Sequence, residues 1–179
     1  MLPRPRVVPV PRGVTLIELL LVVVIISVLT TLSFPLFGYF RDKARDVSCI
    51  ANLRLLYTGA SGHLLEHDMV WPQMPSDVDV SGSEEPMWEW WFHALEPYGV
   101  AKHHWLCASE TVSYEEKHST TSDFHSTYIP TDFEATPNVA YLWKQPWFME
   151  RGQFHGKDHG PNVVMPDGTV KQGPSLFER

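Results

Sequence analysis

Three groups of residues have types and spacings that could do chemistry. His63, Glu66 and His67 spell HLLEH, the H-x-x-E-H order in which two histidines one helical turn apart can hold zinc while a glutamate acts as general base. A third zinc ligand has no evident candidate among the many acids, and Leu64 and Leu65 continue a packing stripe, so a solvated helix end is the competing reading. Cys49 and Cys107 are the two cysteines of the chain. Neither has the C-x-x-C context of a zinc knuckle. Glu18 is the one charge between Val14 and Phe40, and it stands five residues after Gly13.

The element that carries Glu18 is set by its neighbours. Residues 1–13, MLPRPRVVPVPRG, hold Arg4, Arg6 and Arg12 and no acid, so a basic leader precedes an apolar run, a targeting arrangement. The run from Val14 to Phe34 has 21 residues, which as an α-helix reach roughly 31 Å and match the hydrocarbon thickness of a bilayer. Pro35, Leu36 and Phe37 come directly after it, with no A-x-A site of a cleaved secretory signal. The run is therefore read as a single membrane span with the N-terminus cytoplasmic and the rest of the chain outside. An acid at mid-bilayer costs roughly 2.5–3.5 kcal/mol. Glu18 then has two readings: an interfacial acid that helps the helix begin, favoured by the helix dipole, or a functional intramembrane charge.

The string RG-VTLIELL, with glycine before the break, an apolar first residue and glutamate fifth after it, closely resembles the prepilin cleavage and methylation signal of type IV pilins and type II secretion pseudopilins. The resemblance implies a cut between Gly13 and Val14 by a prepilin peptidase and methylation of the new amino terminus. It implies that Glu18 is an assembly residue meeting the free amine of a neighbouring subunit, a pairing that offsets its burial. Further partners implied are like subunits or other pilins in a filament, an inner-membrane assembly platform and the lipid bilayer. Val14 departs from the phenylalanine usual at that position. Pro35 agrees with the helix-breaking prolines of such pilins, and its missing amide predicts a kink between Ser33 and Gly38.

Beyond the proline, Phe40, Ala44, Val47, Ala51, Leu53, Leu56, Ala60 and Leu64 recur at threes and fours among charged residues, the pattern of an amphipathic helix. The whole helix, residues 14–66, would be roughly 80 Å long. Residues 67–179 then form an extracytoplasmic globular domain. His63 to Arg179 hold all seven tryptophans, so aromatic burial should dominate its stability. Residues 72–87 and Ser113 to Asp132 read as loops, and WEWWFHALEPYG as a short helix ended at Pro97 and Gly99.

Strand signals come late: Val163 to Met165 and Thr169 to Lys171 flank the tight turn Pro166, Asp167, Gly168, a C-terminal hairpin. Tyr141 to Trp143 is a weaker strand candidate. HGPNVVMPDGTV also resembles the closing motif of a pilin-like subgroup through His159, Asn162, Asp167 and Gly168. Seven residues separate His159 from Asp167 where that subgroup shows nine, so the hairpin is carried over and no histidine role is. WFHALEPYG and WLCASE extend the resemblance over most of the chain. Cys49 and Cys107, placed outside the cytoplasm, are free to pair, and the bond would stabilise by about 4 kcal/mol in the chain-entropy model. Two separate buried thiols are the alternative, since sequence does not show whether the Cα atoms approach.

The formal charge of −7 would become −10 on losing a leader with three arginines, which argues against nucleic-acid binding. No G-x-S-x-G, phosphate-cradling loop or EF-hand spacing around Asp77 and Asp79 occurs. Some pseudopilins hold calcium in a loop, but the acidic 76–85 segment has no ligand spacing for it. His103 and His104, adjacent, read as surface residues pointing apart. The sequence thus predicts an α+β, pilin-like fold: a long N-terminal transmembrane-to-amphipathic helix and a small domain with an antiparallel sheet. No cofactor and no metal are expected. Its function would be that of a structural, non-enzymatic subunit. The alternatives are a permanently anchored extracytoplasmic binding domain and, more remotely, a zinc hydrolase using HLLEH.

Overall fold

The computed structural model describes residues 13–78, 81, 83–110, 125–152, 154–155 and 160–173, with the side chains of 32–36 outside that description. The chain divides into two units, Met1–Phe40 and Arg41–Arg179. Helix α1 (Leu16–Glu66) has 51 residues and belongs to both.

In the first unit the apolar side chains of α1 are uncovered, from Leu16 through Leu29. Its few polar residues turn back on the helix: the Ser27 hydroxyl donates to the Val23 carbonyl at 2.7 Å and that of Thr31 to Ser27 at 2.8 Å. Such bonds to the carbonyl four residues back keep the hydroxyls on the helix itself. Among the described residues no helix is long and apolar enough to cross a membrane. The expected span includes Leu32, Ser33 and Phe34, whose side chains fall outside the description. The helix continues through Pro35 rather than ending there.

In the second unit α1 presents two apolar stripes on opposite sides. At about 100° per residue, Leu53, Leu56, Ala60 and Leu64 share one side and are fully buried with Cys49. Ala44, Val47, Ala51 and Leu55 share the other and are exposed. The single stripe expected from Phe40 to Leu64 is therefore corrected. Phe40, Ala44, Val47 and Ala51 do keep a helical spacing, but all four are exposed.

Helix α2 (Glu85–Leu95) packs by Trp88, Trp91, Phe92 and Leu95, an i, i+3, i+4, i+7 set that lines one face. A 3-10 turn, Glu96–Tyr98, ends it, and Gly99 takes the left-handed φ of 86°, a conformation that penalises any residue with a Cβ. The sheet has four antiparallel strands in the order β1 (Tyr128–Pro130), β2 (Phe148–Glu150), β3 (Asn162–Val164), β4 (Val170–Gln172). Helix α3 (Val139–Leu142) lies between β1 and β2 in sequence. The core is aromatic as expected: Trp71 meets Phe133 and Trp147 at 5.1 Å and Phe148 at 5.8 Å between ring centroids, separations at which edge and tilted pairs attract.

Two local expectations are corrected. Tyr141 and Leu142 end α3 instead of forming a strand. Asn138 takes a left-handed φ of 64°, its carbonyl accepts the amides of Tyr141 and Leu142, and the turn so closed buries Val139 and Ala140. Within Ser113 to Asp132, expected to be irregular, residues 128–130 form β1. Three residues are too few to show a period, and pairing with β2 rather than local preference makes them a strand.

α1 comes close enough to the domain that a side chain at Gly59 would collide with it. A Cβ on Gly59 would lie 2.5 Å from Cγ2 of buried Val100. Gly59→Ala should therefore destabilise by about 1–3 kcal/mol through overpacking, although alanine improves an isolated helix by about 1 kcal/mol. The check is a thermal melt: a Tm several degrees below wild type is expected, and an equal or higher one would show that Val100 yields.

Candidate functional site

The N-terminal end of α1 is built from its first residues. Gly13 and Val14 are exposed, and among the described residues nothing lies within 4 Å of a Cβ placed on Gly13. Thr15 is the N-cap. Its hydroxyl accepts the Glu18 amide at 3.3 Å, while its own amide and hydroxyl donate to Glu18 Oε2 at 3.0 and 3.1 Å. This is a reciprocal capping box. Glu18 thus has an intrachain role at the helix start, with its charge beside the positive end of the helix dipole.

At the other end of the chain the hairpin turns at Pro166, Asp167 and Gly168. Gly168 has φ 76°, and the Asp167 carboxylate accepts the Thr169 hydroxyl at 2.6 Å and its amide at 2.9 Å. Those bonds hold the carboxyl below the usual range. Tyr57 of α1 donates its hydroxyl to the Pro166 carbonyl at 3.2 Å, so the turn is tied to the helix. His159 lies outside the described residues.

Cys49 and Cys107 form a disulfide, Cα to Cα 5.0 Å, joining α1 to the segment before β1. Around it stands a cluster that sequence reasoning missed. His155, with its side chain 3% exposed, has Nδ1 2.5 Å from Asp46 Oδ1 and Nε2 3.0 Å from Glu150 Oε1. The Glu150 side chain is wholly buried and accepts the amide of Asn162 at 2.7 Å and its side-chain nitrogen at 3.1 Å. Burial alone would pull the His155 pKa down, but the two carboxylates outweigh it and raise it. No spacing announces this set, because its members come from α1, β2, the segment after β2 and β3. Only Asn162 belongs to a sequence pattern, the closing motif.

The HLLEH geometry does not make the zinc site that its letters could encode, the remote alternative of the sequence reading. The His63 and His67 rings are stacked, 3.9 Å between centroids and 6° from parallel. Lone pairs lie in the ring planes, so those of two parallel rings do not converge on one ion. His67 Nδ1 already sits 2.9 Å from the His63 carbonyl, and Glu66 accepts the Tyr98 hydroxyl at 2.9 Å. The His103 and His104 rings, expected to diverge, lie 3.9 Å apart, because the His104 ring folds back to accept the Ala101 amide.

Residues 11–34 match the model of the prokaryotic N-terminal methylation motif, so the chain carries a prepilin-type signal across Gly13, Val14 and Glu18. The chain is 38% identical over 60 residues to the type IV major pilin protein PilA of Myxococcus xanthus, covering 34% of this chain and 27% of that one. It is 31% identical over 68 residues to the competence protein ComGC of Halalkalibacterium halodurans, covering 38% of this chain and 63% of that one. The matched parts are thus less than two thirds of either relative. No solved structure matches.

Burial, helped by the nearby His67 and opposed by Glu66, pushes the His63 pKa down to about 4. The unfolded chain titrates near 6.5, so it takes up the proton first as pH falls. Stability from this residue is complete above about pH 6.5 and is lost between there and about pH 4. Denaturant midpoints across that window should fall less steeply for His63→Gln than for wild type. Parallel slopes would remove His63 from the acid response.

Proposed function

We propose that this protein is a structural subunit of a type IV pilus or a type II secretion pseudopilus, made with a basic leader and cut between Gly13 and Val14 by a prepilin peptidase. The observation that carries the reading is the methylation motif over residues 11–34, which lies on a helix whose apolar side chains from Leu16 to Leu29 are exposed. An uncovered surface from Leu16 to Leu29 needs an apolar environment. Before assembly that is the bilayer of the inner membrane, crossed once by residues 14–34 with the leader cytoplasmic and the domain outside. After assembly it is the helices of like subunits or other pilins, reached through an inner-membrane platform. The similarity to PilA and ComGC supports such a non-enzymatic role.

Exposure of Ala44, Val47, Ala51 and Leu55 extends the same logic to the second unit, since the face of α1 opposite its domain is left for neighbours. Glu18 has two duties under this reading. Its capping box with Thr15 keeps the carboxylate hydrogen-bonded while the subunit stands alone, which lowers the cost of burying it in lipid. In the filament the amine released at Val14 on a neighbouring subunit supplies the opposite charge.

Mass spectrometry of the N-terminus recovered from native membranes should read Val14. Intact Met1, or a cut after Phe34, would leave a permanently anchored extracytoplasmic binding domain as the better reading. Two Glu18 variants separate cap from charge. Glu18→Gln retains an acceptor for Thr15 and loses the charge. It should stay in the membrane fraction and drop out of sheared filaments by at least tenfold, as Glu18→Ala should. Filament incorporation of Glu18→Gln at wild-type level would reduce Glu18 to a cap.

A further inference from the structure

We propose that Cys49, Cys107, His155 and Glu150 form a divalent-metal site of the zinc class whenever the two cysteines are thiols, so that the disulfide and the metal are alternative occupants of one place. The proposal is independent of filament assembly and of the HLLEH motif, whose geometry fails.

The donor atoms of these four residues, two Sγ, one ring nitrogen and one carboxylate oxygen, all lie within 4.8 Å of one another. With Zn–N and Zn–O bonds near 2.0 Å and Zn–S near 2.3 Å, the edges of a tetrahedral site are about 3.3–3.8 Å. His155 Nε2 lies 3.8 Å from Cys107 Sγ and 3.0 Å from Glu150 Oε1, so those edges are already close to the required lengths. Two thiol sulfurs reach the sulfur–sulfur edge by small side-chain rotations. Two sulfurs, one imidazole and one carboxylate suit zinc, and four protein donors leave no open position, the pattern of a structural site.

The surroundings are those of a metal ligand set. His155 Nδ1 lies 2.5 Å from Asp46 Oδ1, which fixes Nε2 as the coordinating nitrogen in the carboxylate–histidine–metal arrangement. Glu150 is oriented in turn by the amide and side chain of Asn162. Lys43 Nζ, 3.6 Å from Asp46 Oδ2, offsets the excess negative charge. A cavity of about 220 Å³ lined by Lys43, Asp46, His155 and Asn162 borders the cluster and gives an ion a way in.

The exchange balances. One divalent ion displaces a proton from each thiol and, where His155 is protonated, a third from Nε2, and is bound by two thiolates, neutral His155 and the Glu150 carboxylate. Oxidation by a disulfide donor transfers two electrons from the thiolates to the donor, which leaves as two thiols after taking up two protons. Cys49 and Cys107 are then joined, both thiolate charges are gone, and the ion departs. Either occupant cross-links α1 to the segment before β1.

The test uses the full chain in detergent, reduced with a phosphine under anaerobic conditions and titrated with Co²⁺. Expected is one Co²⁺ per chain, with sulfur-to-cobalt charge-transfer absorption and the intense visible bands of a tetrahedral site, both erased by one equivalent of Zn²⁺. The oxidised chain should show neither. Asp46→Asn, which leaves the four donors in place, should weaken binding 10–100-fold. His155→Ala should weaken it further, and His63→Ala/His67→Ala should leave it unchanged. Should His155→Ala fail to fold when oxidised, Asp46→Asn and the visible bands of wild type still decide. Absence of stoichiometric Co²⁺ in the reduced chain would overturn the site, as would wild-type affinity in both Asp46→Asn and His155→Ala, or loss of binding in the His63/His67 variant.

Discussion

A helix with apolar residues on opposite sides cannot satisfy both within one small domain, and the second unit is organised by that constraint. Leu53, Leu56, Ala60 and Leu64 are buried with the tryptophan core, while Ala44, Val47, Ala51 and Leu55 stay uncovered. Close approach on the buried side sets Gly59 against Val100. The same approach lets Tyr57 bond the Pro166 turn and brings Cys49 to Cys107. The domain is thus assembled on one half of a helix surface and leaves the other half for different surroundings.

The charged N-terminal end obeys a related rule. A carboxylate among leucines and valines persists only if something local lowers its cost, and Thr15 does so by giving Glu18 two donors and taking one amide in return. The interfacial and assembly readings of Glu18 are therefore compatible. A cap satisfies the carboxylate's hydrogen bonding without neutralising its charge.

Inside the domain, polarity is handled by mutual satisfaction. Asp46, His155, Glu150 and Asn162 would each be costly to bury alone, yet beside the disulfide both His155 nitrogens and both Glu150 oxygens find partners within the set, and Asp46 is shared between His155 and Lys43. Removing one member of such a set leaves the others unmatched, so the cluster constrains α1, β2 and β3 collectively.

What the sequence determined by itself was whatever depends on near neighbours along the chain. The spacing of Gly13, Val14 and Glu18 is a linear code, α2 showed as a short helix closed by Pro97 and Gly99, and the C-terminal hairpin through Pro166, Asp167 and Gly168. All three are local, set by backbone preference and short spacing. Tertiary structure decided what depends on partners distant in sequence. Which stripe of α1 is buried turns on where the domain packs. β1 exists because β2 pairs with it, and Tyr141 became helical because Asn138 closes a turn over buried Val139 and Ala140. HLLEH has the letters of a metal site, but stacking keeps the lone pairs of its rings from converging. The convergent donors are Cys49, Cys107, Glu150 and His155, gathered from four segments by folding, and no one-dimensional spacing encodes a meeting in three dimensions.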